Sequence, residues 1–338
     1  MYTQSELTEM LRSAVEHLQY PDEAPRLYEP VRYTLDAGGK RLRPTLVLMA
    51  ANLFTDAVQP AVQPAVGLEL YHNFTLLHDD VMDKAPDRRG RPTVHVKWND
   101  NAAILSGDAM QGLAYTLVGA TPVAVLKPVL DLFNRTNLEI CAGQQLDMEF
   151  ERRSDVSADE YIRMIRLKTS VLLGCALKMG ALIGRQTALE RGETATAGCP
   201  EDVELLYRIG ENLGLAFQLQ DDWLDCWGDA KTFGKRIGGD IVQNKKTYLL
   251  IRTLELADGR DLDTLLAELS PATARMGESE KIAFFTDVYQ RCGAEAACRK
   301  AIEYYQRTAL DALDRLSIDH RRTTVLSTLA QSLTHRKV

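Results

Sequence analysis

The chain has 338 residues, of which 45% are hydrophobic and 26% charged, a composition typical of a folded globular protein and not of a disordered one. Its formal net charge of −7 argues against broad nucleic-acid binding but does not exclude anionic substrates, because a local site can oppose the overall charge. There is no secretory signal, no uninterrupted apolar run of membrane-span length and no CxxC pair among the six cysteines, so we expect a protein of the reducing cytoplasm.

Helical periodicity runs through most of the chain. The first helix is preceded by a capping box of Thr3 and Glu6, and a later one by a capping box of Ser157 and Glu160. The helical segments that the pattern predicts are 42–54, 64–83, 100–118, 122–150, 158–184, 201–227, 243–257, 280–316 and 321–334. No segment alternates as a strand would, and no Pro- or Ser-rich linker interrupts the chain. We therefore predict one all-α domain over residues 1–338, a bundle of about ten helices.

Two acidic motifs of the form DDxxD end two of these apolar helical runs, at residues 79–83 and 221–225. In each motif the first and last aspartates are four residues apart and share a helix face, where they repel each other. A divalent cation such as Mg²⁺, which prefers oxygen ligands together with substrate phosphates, would relieve that repulsion. A single motif of this kind also occurs by chance on a solvated acidic face. Two copies, each followed by a basic loop, favour a metal-bridged diphosphate site.

Basic segments accompany both motifs. Residues 38–44 (GGKRLRP) form a glycine turn that opens a helix with three cations, and a helix start of this kind binds anions. Alone, the segment is more typical of a helix cap with ordinary surface charge. Arginines in 87–92 and lysines in 234–246 follow the first and second acidic motifs, and arginine suits bidentate phosphate contacts. His72 and His78 are spaced too poorly for a metal pair; His72 either contacts a phosphate or is an ordinary helix residue.

These residues together resemble the trans-isoprenyl diphosphate synthases, or polyprenyl synthetases. The matching segments, in the family's order, are 38–44, 69–83, 88–93, 143–148 (GQQLDM), 168–169, 217–225 and 234–249. The resemblance implies the isoprenoid synthase type I fold around a central cavity, and a homodimer. It also implies head-to-tail condensation of isopentenyl diphosphate with dimethylallyl, geranyl or farnesyl diphosphate, with Mg²⁺ assisting release of diphosphate.

The resemblance also implies a role for each matching residue. The ligands of two Mg²⁺ ions would be Asp79 and Asp83, and those of a third ion Asp221, Asp225 and Asp240. The cations that grip the allylic diphosphate would be Arg88, Lys168, Lys235 and Lys245. The isopentenyl diphosphate pocket would contain Lys40, Arg43, His72 and Arg89. The polar groups beside the developing carbocation would be Gln144, Asp147, Thr169 and Gln218.

Product length is predicted from the residues before the first acidic motif, which form the floor of the elongation pocket in this family. Phe74 lies five positions before Asp79, about 7.5 Å along the helix, and Tyr71 lies one turn deeper. Thr75 is small, and one aromatic residue at the upper level resembles the geranylgeranyl pattern more than the farnesyl pattern. The alternative is that both rings are ordinary core residues.

Three rival functions remain to be weighed. A terpene cyclase of the same fold would need only the first acidic motif, so residues 38–44 and the second motif argue against it. A non-catalytic partner subunit of a synthase would be expected to have lost aspartates or cations, and none is missing here. A plain Mg²⁺-binding scaffold leaves the basic segments unexplained.

Overall fold

The computed structural model describes residues 1–229 and 237–334, which are almost entirely helical. The helices are, in chain order, α1 (Gln4–Glu16), α2 (Glu29–Asp36), α3 (Leu42–Phe54), α4 (Val62–Met82), α5 (Val94–Lys97), α6 (Asp100–Val118), α7 (Val123–Phe150), α8 (Ala158–Ile165), α9 (Val171–Glu190), α10 (Pro200–Trp227), α11 (Gly239–Val242), α12 (Tyr248–Leu256), α13 (Gly259–Leu269), α14 (Glu278–Arg291), α15 (Ala294–Asp314) and α16 (His320–Thr334). A π-helical turn, Arg166–Ser170, connects α8 to α9. The prediction of an all-α fold is confirmed.

The chain clusters into two compact units. Unit 1 comprises Met1–Arg135, Cys175–Tyr207 and Leu313–Ser327. Unit 2 comprises Thr136–Gly174, Arg208–Ala312 and Thr328–Val338, as far as these residues are described. The single domain over 1–338 stays a prediction.

Unit 1 is built around α3, which is buried from Pro44 to Phe54 because its sequence is apolar on every side. Helix α4 packs beside α3 and against α6. Helix α9 approaches α3 at Gly180, where an added Cβ would lie only 2.0 Å from the carbonyl oxygen of Val47. This core holds the C-terminal end of α4, and with it the first acidic motif, in place.

Unit 2 has its own core of aliphatic and aromatic side chains. Its large members include Phe150, Tyr161, Trp223, Phe285 and Tyr289. Helix α8 begins at the predicted capping box of Ser157 and Glu160, which is confirmed, as is that of Thr3 and Glu6 in unit 1.

The structure differs from the sequence prediction at a short hairpin and at several helix boundaries. Residues 87–92 form a two-stranded antiparallel hairpin of β1 (Asp87–Arg88) and β2 (Arg91–Pro92), which is too short to show alternation. The predicted helix 280–316 is broken at Gly293, which adopts φ +86°. The predicted helix 243–257 begins only at Tyr248. Helix α13 was not predicted; it begins at Gly259, a residue typical of a turn.

One helical stretch, Ala158–Glu190, is long and apolar enough by composition to cross a membrane, although Lys178 and Arg185 interrupt it. Within its most apolar window, 78% of the residues are buried in the protein. That burial is typical of a core helix.

Candidate active site

The first acidic motif lies at the C-terminal end of α4 in unit 1. The N–H of Asp83 donates to the carbonyl of Asp79 at 2.8 Å, so helical geometry continues through the motif. Asp79 and Asp83 therefore lie one turn apart on the same face. Asp83 is exposed and Asp79 is half-buried. The pair can present carboxylate oxygens outward from the helix end.

The middle aspartate of this motif points inward instead. Asp80 is only 6% exposed, and its carboxylate accepts two hydrogen bonds from Arg88 Nε and forms an ion pair with the same guanidinium. Arg88 Nε lies 2.8 and 3.0 Å from the two carboxylate oxygens, and Arg88 Nη2 lies 2.7 Å from Oδ1. Burial raises the pKa of Asp80, while the Arg88 charge opposes that rise. The sequence analysis assigned Arg88 to the diphosphate but missed this partner, because only the hairpin fold brings Arg88 back to α4.

His72 and Arg43 lie in contact, as the predicted isopentenyl diphosphate pocket requires. Arg43 Nη1 is 3.0 Å from His72 Nε2. Arginine has no acceptor, so His72 Nε2 accepts, and the neutral ring carries its proton on Nδ1. Burial, together with the charges of Arg43, Arg89 and Arg88, lowers the pKa of His72 well below its usual value. His72 is therefore a neutral donor among cations.

Arg89 joins the same group from the hairpin. It adopts φ +55°, and its Nη1 donates to the carbonyl of Gly38. At Gly39, which adopts φ +133°, an added Cβ would lie 2.8 Å from Arg89 Nη1, so only glycine permits this approach. Arg89 also lines a small cavity with Asn73, Asp80 and Arg88. The hairpin thus brings Arg89 to the glycine turn that precedes Lys40.

Glu69 is an acidic residue beneath these cations that the sequence analysis did not single out. It lies one turn before Asn73 on α4, is 5% exposed, and accepts a hydrogen bond from Asn73 Nδ2 at 3.1 Å. Burial raises its pKa, and the charges of Arg43, Arg41 and Arg89 oppose the rise. A charged residue in the otherwise apolar run of α4 was the signal that could have found it.

The two predicted floor residues belong to an aromatic cluster in unit 1. Tyr71 is 1% exposed, and its ring centroid lies 5.6 Å from that of Phe74 and 5.0 Å from that of Phe133 on α7. Tyr115 on α6 completes the cluster at 5.0 Å from Phe133. His78 packs against Phe74 and lies 3.0 Å from the carbonyl of Ile104, as an ordinary helix residue would. The cluster is compatible with both readings of Tyr71 and Phe74.

The second acidic motif lies near the C-terminal end of α10 in unit 2, and its middle aspartate also points inward. Asp222 is 4% exposed; Tyr161 Oη donates to its Oδ2 at 2.5 Å and Gln218 Nε2 donates to its Oδ1 at 3.3 Å. Burial, with the charge of Asp240, raises the pKa of Asp222 to about 7. The sequence analysis missed this role of Tyr161, because in a helical pattern the residue counts only as an apolar position.

Asp225 and Asp240 meet in unit 2. The N–H of Asp240 donates to Asp225 Oδ2 at 3.1 Å, and the N–H of Lys245 donates to the carbonyl of Asp240 at 2.9 Å. Asp221 lies one turn before Asp225 on α10. Within residues 1–229 and 237–334, no three His, Cys, Asp or Glu side chains are arranged to hold a metal ion by themselves. The carboxylate pairs fit a hard cation that takes further oxygens from phosphate and water.

The remaining polar residues of unit 2 lie around the π-turn. Lys168 Nζ forms an ion pair with Asp147 Oδ2 at 2.6 Å, and Thr169 Oγ1 donates to Gln218 Oε1 at 3.3 Å. Gln144 is half-buried on α7, three residues before Asp147. Lys235 lies outside the described residues.

Comparison with known proteins identifies the family of the chain. The family model for polyprenyl synthetases matches residues 24–283. A geranylgeranyl diphosphate synthase of Methanosarcina mazei is 40% identical over 247 residues, 72% of each chain. A geranylfarnesyl diphosphate synthase of Natronomonas pharaonis is 37% identical over 284 residues, 78% of this chain and 79% of the relative. A crystal structure of a geranylgeranyl pyrophosphate synthase superposes with a TM-score of 0.90 at 42% identity, covering 100% of both chains. The chain therefore belongs to the polyprenyl synthetase family, and it is a prenyltransferase with the all-α isoprenoid synthase fold.

Proposed function

We propose that this short-chain prenyltransferase condenses isopentenyl diphosphate with allylic diphosphates, and that geranylgeranyl diphosphate is its main product, ahead of farnesyl diphosphate. The observation that carries the proposal is the opposite orientation of two adjacent arginines. Arg88 turns to Asp80 in the acidic motif, whereas Arg89 turns to Gly38 in the basic segment. The hairpin therefore places one arginine beside the acidic motif and the other beside the basic segment that contains Lys40 and Arg43. A condensation of two diphosphates needs both.

The allylic diphosphate is the leaving group. Mg²⁺, when bound, supplies Lewis-acid neutralisation of the charge that develops on this diphosphate, and we propose three ions, held by Asp79 and Asp83 and by Asp221, Asp225 and Asp240. The cations Arg88, Lys168, Lys235 and Lys245 hold the same diphosphate by charge-assisted hydrogen bonds. Their positive charges would stabilise the negative charge as the C–O bond breaks.

Isopentenyl diphosphate is bound without a metal. Lys40, Arg43 and Arg89 supply the positive charge, and neutral His72 supplies its Nδ1–H as a donor. Glu69 beneath them limits the mutual repulsion of the arginines. This set orients the double bond toward the allylic carbon.

The carbon–carbon bond forms when that double bond attacks the allylic cation. Oxygen dipoles of Thr169 and Gln218 stabilise the cation, with Gln144 and Asp147 nearby on α7, and the apolar pocket excludes water. The resulting cation loses a proton to the released diphosphate, as the family resemblance implies. No side-chain base is required.

Product length depends on the proposed floor of Phe74 and Tyr71. Truncating Phe74 to alanine should lengthen the products, and adding Tyr71→Ala should lengthen them again, because each ring blocks the growing tail. Phe54→Ala, which removes a fully buried ring of α3, is the matched control and should lower stability without changing length. Mass analysis of the products is the measurement. Unchanged length in the folded Phe74 and Tyr71 variants would mean that these rings are only core.

The rival functions are separated by one assay of diphosphate release. The proposed enzyme releases diphosphate from dimethylallyl diphosphate only when isopentenyl diphosphate is present, and extraction recovers longer prenyl diphosphates. A terpene cyclase would release diphosphate from an allylic substrate alone. A non-catalytic subunit would release none.

We also propose that the protein is a cytoplasmic homodimer. Large apolar side chains are exposed on α6, where Ile104 is 44% and Leu105 60% exposed, and on α7, where Leu138 is 71% exposed. Apolar surface of this kind is typical of an interface. Sedimentation of the wild type and of Leu105→Lys tests the dimer; a monomeric wild type would contradict it.

A further inference from the structure

The KT pair of Lys168 and Thr169 lies in an irregular helical turn. Residues Arg166–Ser170 form a π-turn within an otherwise α-helical stretch, and π-turns are rare and concentrate at functional sites. Ser170 Oγ donates to the carbonyl of Ile165, five residues earlier, at 3.3 Å.

Helix α7 contacts one side of the π-turn at Gly143. An added Cβ there would lie 2.3 Å from the backbone nitrogen of Lys168 and 2.7 Å from its Cα. Asp147, one turn later on the same face of α7, forms the 2.6 Å ion pair with the Lys168 side chain. One face of α7 thus contacts both the backbone and the side chain of Lys168.

Helix α10 contacts the other end of the turn in the same way. An added Cβ at Gly214 would lie 2.5 Å from the Cα of Ser170. Gln218, one turn later on α10, accepts the hydrogen bond of Thr169 at 3.3 Å and donates to Asp222. In each helix, therefore, a glycine contacts the backbone of the π-turn, and a polar residue one turn later contacts the side chain of Lys168 or Thr169.

We infer that Gly143 and Gly214 are positioning residues for the prenyl transfer, which set where Lys168 and Thr169 stand. The inference rests on the proposed function, in which Lys168 binds the diphosphate and Thr169 stabilises the cation. To relieve contact at Gly143, an alanine would have to move the π-turn from 2.3 Å to the 3.4 Å at which ordinary contact begins, about 1 Å. A misplacement of about 1 Å near reacting atoms can lower a rate about a hundredfold.

The test compares alanine at Gly143 and Gly214 with alanine at two control glycines. Gly180 makes an equally tight contact, with Val47 in unit 1, and Gly112 has open space around it. We expect Gly143→Ala and Gly214→Ala to lower kcat at least about tenfold while the KM for isopentenyl diphosphate stays within about twofold. Gly180→Ala should lower Tm comparably yet keep kcat, and Gly112→Ala should change neither. Normal kcat in the folded Gly143 and Gly214 variants, or an equal loss in Gly180→Ala, would overturn the inference.

A double-mutant cycle tests whether Gly143 affects kcat through Lys168. If Gly143 acts through Lys168, then Gly143→Ala should cost less than about twofold in a Lys168→Ala background, and full additivity would contradict the inference. If Gly143→Ala does not fold, Asp147→Asn can be used in its place, because it adds no volume. It should show the same loss of kcat and the same non-additivity with Lys168→Ala. An inactive wild type would refute the proposed function itself, whereas active glycine variants of an active wild type refute only this positioning role.

Discussion

The two acidic motifs have the same spacing, but the buried middle aspartate has different partners in each. In both, the middle aspartate is buried and the first and last lie one turn apart on the helix; Asp83 of the first motif is exposed, whereas Asp225 of the second is only 5% exposed. Asp80 in unit 1 is paired with the cation of Arg88. Among the described residues, the hydrogen-bond donors to Asp222 in unit 2 are the neutral groups of Tyr161 and Gln218.

The difference teaches that the middle aspartate can have a structural role in its motif without being a metal ligand. A buried carboxylate needs partners, and an arginine balances its charge whereas a phenol and an amide do not. The pKa of Asp222 accordingly rises to about 7. We interpret Asp80 as the residue that orients Arg88, and Asp222 as one that links α8 to α10.

The largest expected effect is on the outer aspartates. Asp79→Ala or Asp221→Ala should each lower turnover by several orders of magnitude with the fold intact, because each removes a proposed Mg²⁺ ligand. Steady-state kinetics at saturating Mg²⁺ is the measurement. Asp108→Ala, which removes an exposed carboxylate near His78, is the control and should stay active. Near-normal activity in either motif variant would break the proposed equivalence of the two motifs.

The next effect separates the two phosphate sites. Lys40→Ala and Arg89→Ala should raise the KM for isopentenyl diphosphate about tenfold or more and change that for the allylic substrate less. Lys245→Ala should do the reverse or mainly lower kcat. Initial rates with each substrate varied in turn measure the split. Equal effects of all three variants on both substrates would remove the distinction between a cationic and a metal-dependent site.

The middle aspartates should differ in stability. At pH 8, Asp80→Asn should lower the free energy of unfolding by about 1–3 kcal/mol, because Arg88 loses its counter-charge. Asp222→Asn should be neutral or stabilising at the same pH, because it removes a buried charge whose hydrogen-bond donors among the described residues are neutral. Urea unfolding with EDTA present gives both values. A loss of similar size in Asp222→Asn would mean that its neutral donors stabilise the ionised carboxylate fully.

The smallest effect is a pH dependence confined to the second motif. The pKa of Asp222 is raised from 3.8 to about 7 in the folded protein, so its protonated form contributes stability at low pH that is lost as pH rises through 7. The stability of Asp222→Asn relative to wild type should therefore increase between pH 5 and pH 8. A flat difference across this range would contradict the raised pKa.

Much of unit 1 could be predicted because its signals are local. The end of α2 before Gly38, the apolar run of α3 and the common face of Asp79 and Asp83 follow from helix periodicity and turn residues. The hairpin at 87–92 could not, because two-residue strands are made by pairing and not by pattern. Without the hairpin, the opposite orientations of Arg88 and Arg89 are invisible.

By itself, the sequence determined the all-α class, the two acidic motifs and the basic segments, since these depend on neighbours within one or two helical turns. Only the tertiary structure decided which partner each buried charge obtained. Tyr161 is 61 residues from Asp222 along the chain, and Gly143 lies on a different helix from Lys168. Contacts of this kind depend on how helices pack, because the free energy of a buried polar group is set by the atoms that surround it and not by the residues that precede it.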